Sequence, residues 1–490
     1  MKYKFMRLLT MVAWFSVVSV SLSAAEKDKV WPDIPLLDVI TENGEFPDCT
    51  VLHPPVGCVG TGITADYVLG RLTMTLAGDT LYESGEYVKG ESGMRIKIRG
   101  NSTGAAAGQK PYKIKLSKKF DLLCRGDKAY KEKDWNLLKI STWNTGLQNE
   151  ESNLLTALGF ILSRTVGMEW VPEYTFVNLV MNGRYMGLYY LTDAVERGDK
   201  RVDIQKTGFL IENDAYWWKE DVYFKTAHQI TSMGYTFKYP DTDDLDDKTM
   251  GQIRQYMDDF EKVLFSGGDV GEYIDLRSFA RWLLVQDITY NDDVAGSNMY
   301  LYKDDYDESV PMSTKLKMGP LWDFDAMFRG TSYKDQWGLF HSSPFFYYGQ
   351  LFEDENFVEV YKEEWEAVKP ILMECVEKGF ADLEAKFGTA LVESFELHKT
   401  LYPRECKNSL QAQMDELMGL LRERISVMER LMEDCGESGI KAPEVVGGNM
   451  PERLFSVDGR QYLEKDGEKI PTGLYIRQKA DGTVEKFISR

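Results

Sequence analysis

The sequence predicts an α+β protein with a β-rich first part, a helical second part and a small β unit at its end. Three patterns carry this. Apolar and polar residues alternate in short runs up to about residue 240, as in RIKIR at 95–99 and YKIKL at 112–116. From about residue 250 apolar residues recur at three- and four-residue spacing, as in IRQYMDDFEKVLF and LRSFARWLLVQDITY. After Gly436 and the stretch GGNMP, short β-like runs return, separated by Asp-Gly turns.

Within the first part, RIKIR and YKIKL read as a hairpin with a long glycine-rich loop, GNSTGAAAGQKP. LLTALGFILSRTV at 154–166 has helical spacing, and Gly167 is a suitable stop. TFVNLVMNGRYMGLYYLTD reads as two strands joined at Asn182-Gly183, a dipeptide that favours the left-handed turn of a tight hairpin. GFLIEND and YTFKYPD read as two further strands. The run from Asn356 to about Cys435 is amphipathic helix, broken near Tyr402-Pro403. The acidic stretch DTDDLDD at 241–247 lacks the spacing and the glycine of a calcium loop and reads as solvated surface.

Length and composition bound the rest. At 490 residues, and at roughly 100–200 residues per domain, two or three units are expected. With 43% hydrophobic and 13% aromatic residues the chain can bury a large core. Lys2, Lys4 and Arg7, then an apolar run to about Leu22, then Ser23-Ala24-Ala25, predict a secretory signal over 1–25. The main domain is expected over 26–435, a linker over 436–450 and the β unit over 451–490. No later run is long and apolar enough to cross a bilayer. Loss of the signal moves the net charge from −20 to −23, which disfavours nucleic acid and anionic membranes. An exported chain can form disulfides, and Cys49 and Cys58, flanking a turn-rich stretch, form the best-placed pair. Four histidines and no CxxC leave no zinc signature.

The chemistry sits in three stretches. Transfer of a phosphoryl group needs a backbone that covers the phosphates, a cation that neutralises them, a base that orients the hydroxyl, and oxygen ligands for magnesium. The loop at 100–108 suits the first need. Lys113 and Lys115 share one face of their strand; they either line a cleft or face solvent. Glu150 or Glu151, ahead of the helix, either fixes such a lysine or stabilises the helix start. In NDDVAGSN, Asp293 lies five residues before Asn298 and Asp292 six before. The five-residue interval is that of the protein-kinase catalytic loop. In KMGPLWDFDAMF, a β-like alternation aims Asp323 and Asp325 one way, and Trp322 and Phe324 the other. The alternative is a turn in which Asp325 caps a helix.

Taken together, RIKIRGNST, QKPYKIKL, VMNGRYMGLYYLTD, GFLIEND, YTFKYPD, NDDVAGSNMYLYKD and MGPLWDFDAMF resemble the CotH kinase family over about residues 30–435. The resemblance implies an atypical, protein-kinase-like two-lobed fold, with a β-rich N-lobe over about 30–240 and a helical C-lobe over about 250–435. It implies transfer of phosphate from ATP, with Mg2+ or Mn2+, to serine or threonine hydroxyls of a protein. Asp293 would orient the hydroxyl, with Asp292 as its rival. Asn298 and Asp323, with Asp325 beside them, would hold metal. Lys113 or Lys115 would meet the phosphates. Arg99, Gly100, Asn101 and Ser102 would form the phosphate-facing turn. The chain departs from the family's arginine-asparagine pair at Ser152-Asn153, and from its phenylalanine-glycine at Phe328-Arg329. The tail, through SVDGRQY and GLYIRQKADG, resembles sorting tails of secreted Bacteroidetes proteins, which implies the periplasm or cell surface of a Gram-negative bacterium.

A second reading keeps the kinase shape without catalysis. The aromatic stretches AYWWKEDVYF and PFFYYGQLF would then serve a cell-surface or glycan partner, although core packing accounts for such rings as well. A metal-dependent hydrolase lacks the histidine ligands it needs.

Overall fold

The computed structural model describes residues 33–435 apart from 106–107, 141–151, 229–232, 292, 294–296, 330–331, 342–345, 407 and 434, together with four strands between 453 and 489. The expected signal over 1–25, Glu150, Glu151, Asp292 and the linker over 436–450 lie outside the described residues.

The first part contains β1 (Leu36–Thr41), β2 (Thr50–Leu52), β3 (Gly62–Thr64), β4 (Val68–Leu76), β5 (Asp79–Glu83), β6 (Met94–Ile98), the short helix α1 (Ser102–Ala105), β7 (Tyr112–Phe120) and β8 (Glu132–Lys139). Then come α2 (Leu155–Thr165), β9 (Tyr174–Met181), β10 (Arg184–Asp193), β11 (Phe209–Asp214), β12 (Tyr223–Phe224) and β13 (Gly234–Tyr239). The second part contains α3 (Asp247–Phe265), α4 (Leu276–Thr289), β14 (Met299–Lys303), β15 (Leu316–Met318), α5 (Tyr348–Leu351), α6 (Glu355–Leu401) and α7 (Leu410–Glu433). The tail forms its own four-stranded sheet from β16 (Arg453–Ser456), β17 (Gln461–Tyr462), β18 (Gly473–Gln478) and β19 (Val484–Ser489).

The strands of the first part close on themselves. β1 pairs antiparallel with β4, Val39 opposite Leu72, and parallel with β9, Val39 opposite Met181. The order β1-β9-β10-β8-β7-β6-β4 therefore returns to β1, a seven-stranded barrel with β5 added beside β4. Alternation then has a clear meaning. Val39, Leu72, Ile96, Ile114, Leu137, Val177 and Leu191 point inward and form one core. The expected hairpins are present: β6 pairs with β7, and β9 with β10 through Asn182 and Gly183, at φ 51° and 75°. Gly104 of α1 packs at one end of this barrel core, where a Cβ would lie 2.6 Å from Ile63 Cδ1.

This corrects the expected fold class. The N-terminal part is a closed barrel, not the open sheet of a kinase N-lobe. The two-lobed division near residue 240 also fails, because one five-stranded sheet, β12-β13-β11-β14-β15, joins strands from both sides of it. β11 lies centrally in that sheet, between β13 and β14. The pairings responsible link residues far apart in sequence, and no local pattern encodes them.

A second core joins the outer face of β9 and β10 to the helices and the five-stranded sheet, through Phe176, Tyr190, Phe160, Trp282, Leu301 and Phe387 among others. α6 runs 47 residues, with Pro370 inside it and a bend at Gly388, φ 51°. The expected break near Tyr402-Pro403 falls between α6 and α7. The acidic stretch at 241–247 ends in a cap: the Asp246 carboxylate accepts the Thr249 N–H at 2.7 Å and starts α3. No disulfide forms among the described residues; Cys49 and Cys58 are both free thiols, against the expected bridge.

Candidate active site

α4 ends in a left-handed residue, Tyr290 at φ 45°, which turns the chain out of the helix. The loop that follows is anchored at both ends. Asn291 Nδ2 donates to the carbonyl of Asp323 at 3.0 Å. The Ser297 hydroxyl donates to Asp214 Oδ1 at 2.6 Å, and the Asn298 N–H donates to Glu212 Oε1 at 2.8 Å. Both acceptors stand on β11, two residues apart on one face. They hold Asn298 at φ 67° immediately before β14.

The segment after β15 reaches the same place. Trp322 and Phe324 are buried, as the alternation predicts, but no strand carries them. Asp323 sits at φ 62°, so the segment kinks at that residue. No described helix begins at Asp325, so the capping alternative is not realised. Phe324 lies against α2 at Gly159, where a Cβ would stand 2.1 Å from the Phe324 ring, and it meets Phe160 edge-on at 5.6 Å. Asn298 Nδ2 then donates to Asp323 Oδ2 at 2.9 Å.

Charge gathers around this contact. Burial raises the Asp323 carboxyl to about 8, and the neighbouring carboxylates of Asp325 and Asp293 add to it; Arg99 and Lys139 oppose them. Lys139 Nζ stands 3.7 Å from Asp325 Oδ2. Arg99 lies over the Trp322 ring at 5.6 Å, within the field of Asp323, Glu212 and Tyr300. Beyond it, Gly100 takes φ 81°, Asn101 Oδ1 accepts from Lys219 Nζ at 2.6 Å, and Ser102 hydrogen-bonds Tyr216. Asp214 is raised to about 6 by burial and by Glu212, against Lys238, Ser297 and the Tyr216 N–H.

Of the residues expected at the site, Asn298 and Asp323 touch. Asp325, Asp293 and Arg99 act on Asp323 through their charges, and Gly100, Asn101 and Ser102 follow Arg99 on the same loop. Lys113 and Lys115 do not join them. They stand on the outer wall of the barrel, where Asp134 pairs with both, at 2.8 and 3.4 Å. The reason is parity: Ile114 faces the barrel core, so its neighbours face out and meet the acid of the next strand. Four residues escaped the sequence reading: Glu212, Asp214, Lys238 and Lys139. Two acids at alternate positions of the otherwise apolar GFLIEND run were the available signal for the first pair.

The donor set suits a hard divalent cation. An amide oxygen on Asn298 and the carboxylates of Asp323 and Asp325 are the ligands magnesium and manganese take. The carboxylates repel one another, which a cation relieves. Among the described residues no three acidic, histidine or cysteine side chains are grouped to hold a metal. Magnesium commonly takes one or two carboxylates and completes its shell with substrate phosphates and water.

No curated protein matches the chain. A family model, described as CotH kinase protein, matches residues 96–428, which include Arg99, the loop at 291–298, Asp323 and the helices to α7. The chain belongs to the CotH kinase family.

Proposed function

We propose that this protein is an exported kinase that transfers the γ-phosphate of ATP to serine or threonine hydroxyls of a protein. One observation carries the reading: Asn298 and Asp323 meet at 2.9 Å from two loops, both in left-handed backbone, beside Arg99 of the glycine-rich loop. A catalytic-loop asparagine and a metal-binding aspartate stand in this relation in phosphoryl transfer. Asp293, with Asp292 as its rival, accepts the hydroxyl proton as the acceptor oxygen attacks the γ-phosphorus. The bond to the β–γ bridging oxygen breaks, and ADP leaves. Asn298, Asp323 and Asp325 would hold Mg2+ or Mn2+, which would supply positive charge against the phosphates. Arg99 and the turn Gly100-Asn101-Ser102 face the phosphates. Lys113 and Lys115 take no part, since the barrel turns their side of β7 outward beside Asp134 and away from Asn298 and Asp323.

Export through residues 1–25, to the periplasm or cell surface, and a protein acceptor belong to this proposal. No helix among the described residues is long and apolar enough to cross a membrane. The test is a calorimetric titration of magnesium and ATP into the mature chain, followed by incubation with radiolabelled ATP and co-secreted proteins. Binding that Asp323→Ala removes, together with labelled acceptor, is the expected result. A chain that binds no nucleotide under either metal overturns the proposal.

The silent-module reading retains one support. Trp217 and Tyr223 lie 4.6 Å apart with Lys225 Nζ 3.8 Å from the Trp217 ring, and Tyr223 is exposed. The other aromatic stretch turns inward, since Phe346, Tyr347 and Tyr348 are buried. Glycan binding that persists after loss of Asp293 and Asp323 is what that reading requires.

A further inference from the structure

A single buried carboxylate on β11 links a residue of β13 to the residue that precedes β14. Glu212, with 6% of its side chain exposed, accepts the Asn298 N–H through one oxygen and pairs with Lys238 Nζ at 2.7 Å through the other. Lys238 stands at an irregularity of β13: Leu210 faces Tyr239 and Ile211 faces Phe237, so Lys238 has no opposite residue on β11. A bulge of this kind re-aims a side chain and is common beside active sites. A third of the Lys238 side chain, 33%, remains exposed. Tyr300, opposite Glu212 on β14, lies in the field of both Lys238 and Arg99.

We infer that Lys238 is the ammonium that meets the phosphates of the nucleotide, and that Glu212 is the positioning residue that holds Lys238 and Asn298 in one geometry. The inference rests on the phosphotransfer reading. The other lysines fit the role less well. Lys113 and Lys115 stand on the outer wall of the barrel beside Asp134, Lys219 donates to Asn101, and Lys139, 13% exposed, stands by Asp325. Among the lysines of the described residues, only Lys238 shares its carboxylate with the backbone of the metal-ligand asparagine. An ammonium has three N–H donors, so pairing with Glu212 leaves donors for a phosphate oxygen. Fixing the ammonium before the nucleotide arrives removes the ordering of a long side chain from the binding step.

The experiment uses the full mature chain and two readouts: Mg-ATP affinity by calorimetry, and Mn2+ affinity without nucleotide by electron paramagnetic resonance. Lys238→Met is expected to weaken Mg-ATP binding by about tenfold or more and to leave Mn2+ affinity within about twofold, because the ammonium pairs with Glu212 rather than with a metal ligand. Lys238→Arg recovers part of the loss. Glu212→Gln weakens both ligands, because it frees Lys238 and loosens Asn298. Lys238→Met leaves a buried carboxylate unpaired, so the double variant Lys238→Met/Glu212→Gln is the folded comparison and must also bind Mg-ATP weakly. Unchanged Mg-ATP binding by Lys238→Met, or equal losses of both ligands, overturns the inference alone. A parent chain that binds no nucleotide overturns the phosphotransfer reading and the inference with it.

Discussion

At the scale of single residues, the site is held in strained backbone. Asn298 and Asp323 both sit at positive φ, which costs on the order of 1 kcal/mol each for a residue with a Cβ. Asparagine and aspartate tolerate this region best, and the hydrogen bonds to Glu212 and between the two side chains hold it. Asp323→Asn should reduce phosphate transfer by on the order of 10²-fold or more, as loss of a metal-site group does. The same variant should not lower the melting temperature of the metal-free protein. The raised Asp323 carboxyl means the folded state resists its ionisation, so its contribution to stability falls as pH rises from the usual carboxylate range to about 8. Thermal melts of parent and variant at pH 5 and pH 8 check this; a variant less stable at pH 8 alone contradicts it. His398 works in the opposite sense. Burial lowers the imidazole to about 3, and its Nδ1 accepts the Leu188 N–H at 3.1 Å. The unfolded chain therefore binds the proton first, and stability is lost as pH falls from the ordinary histidine value toward about 3. Near pH 5 this amounts to about 2 kcal/mol. A His398→Gln variant should show a shallower acid loss in melts between pH 7 and pH 5.

At the scale of elements, α2 is the bed on which the Asp323 segment lies. Residue 159, near its middle, is glycine because the Phe324 ring occupies the space of a side chain there. Gly159→Ala improves helix propensity by about 1 kcal/mol but drives a methyl group into the ring. The displaced Phe324 must carry Asp323 and Asp325 with it. The expected outcome is a loss of transfer of about tenfold or more, since small misplacements of catalytic groups have large effects, with a lower melting temperature. Activity equal to the parent would show that the segment is held elsewhere. The start of α2 is tied to α7 by a reciprocal pair. The Asn153 N–H donates to Gln413 Oε1 at 2.7 Å, and Gln413 Nε2 donates to Asn153 Oδ1 at 2.9 Å. Asn153 Nδ2 also donates to the Ile140 carbonyl at 2.8 Å. Gln413→Leu should destabilise the fold by about 1–3 kcal/mol, because buried polar groups of Asn153 lose their partner; chemical denaturation measures it.

At the scale of the molecule, closure of the barrel is the cooperative event. β1 is the only strand that touches both β4 and β9 in the ring. Without it two long edges open, with unpaired N–H and C=O groups. A chain that begins after Thr41 should lose cooperative melting and enter aggregates, as seen by circular dichroism and size-exclusion chromatography. The tail is different. All pairings of β16 to β19 are internal to their own sheet. A chain ending at Cys435 should keep the melting temperature and Mg-ATP affinity of the parent.

Much of the local structure was legible because it rests on short-range physics. Asn182-Gly183 encodes its own turn, Gly167 ends α2, and the three- and four-residue spacing of apolar residues marks α3, α4, α6 and α7. NDDVAGSN and LWDFD stand out for acids and an amide at short spacing, and the fold brings Asn298 and Asp323 into contact. The tertiary structure alone decided the rest. Whether a sheet stays open or closes depends on one pairing between strands more than a hundred residues apart. Whether Lys113 meets phosphate or Asp134 depends on which face of its strand the barrel turns inward. Glu212 and Lys238 read as ordinary strand residues until β11 lies between β13 and β14. Periodicity reports which residues share a face; only packing determines what that face meets.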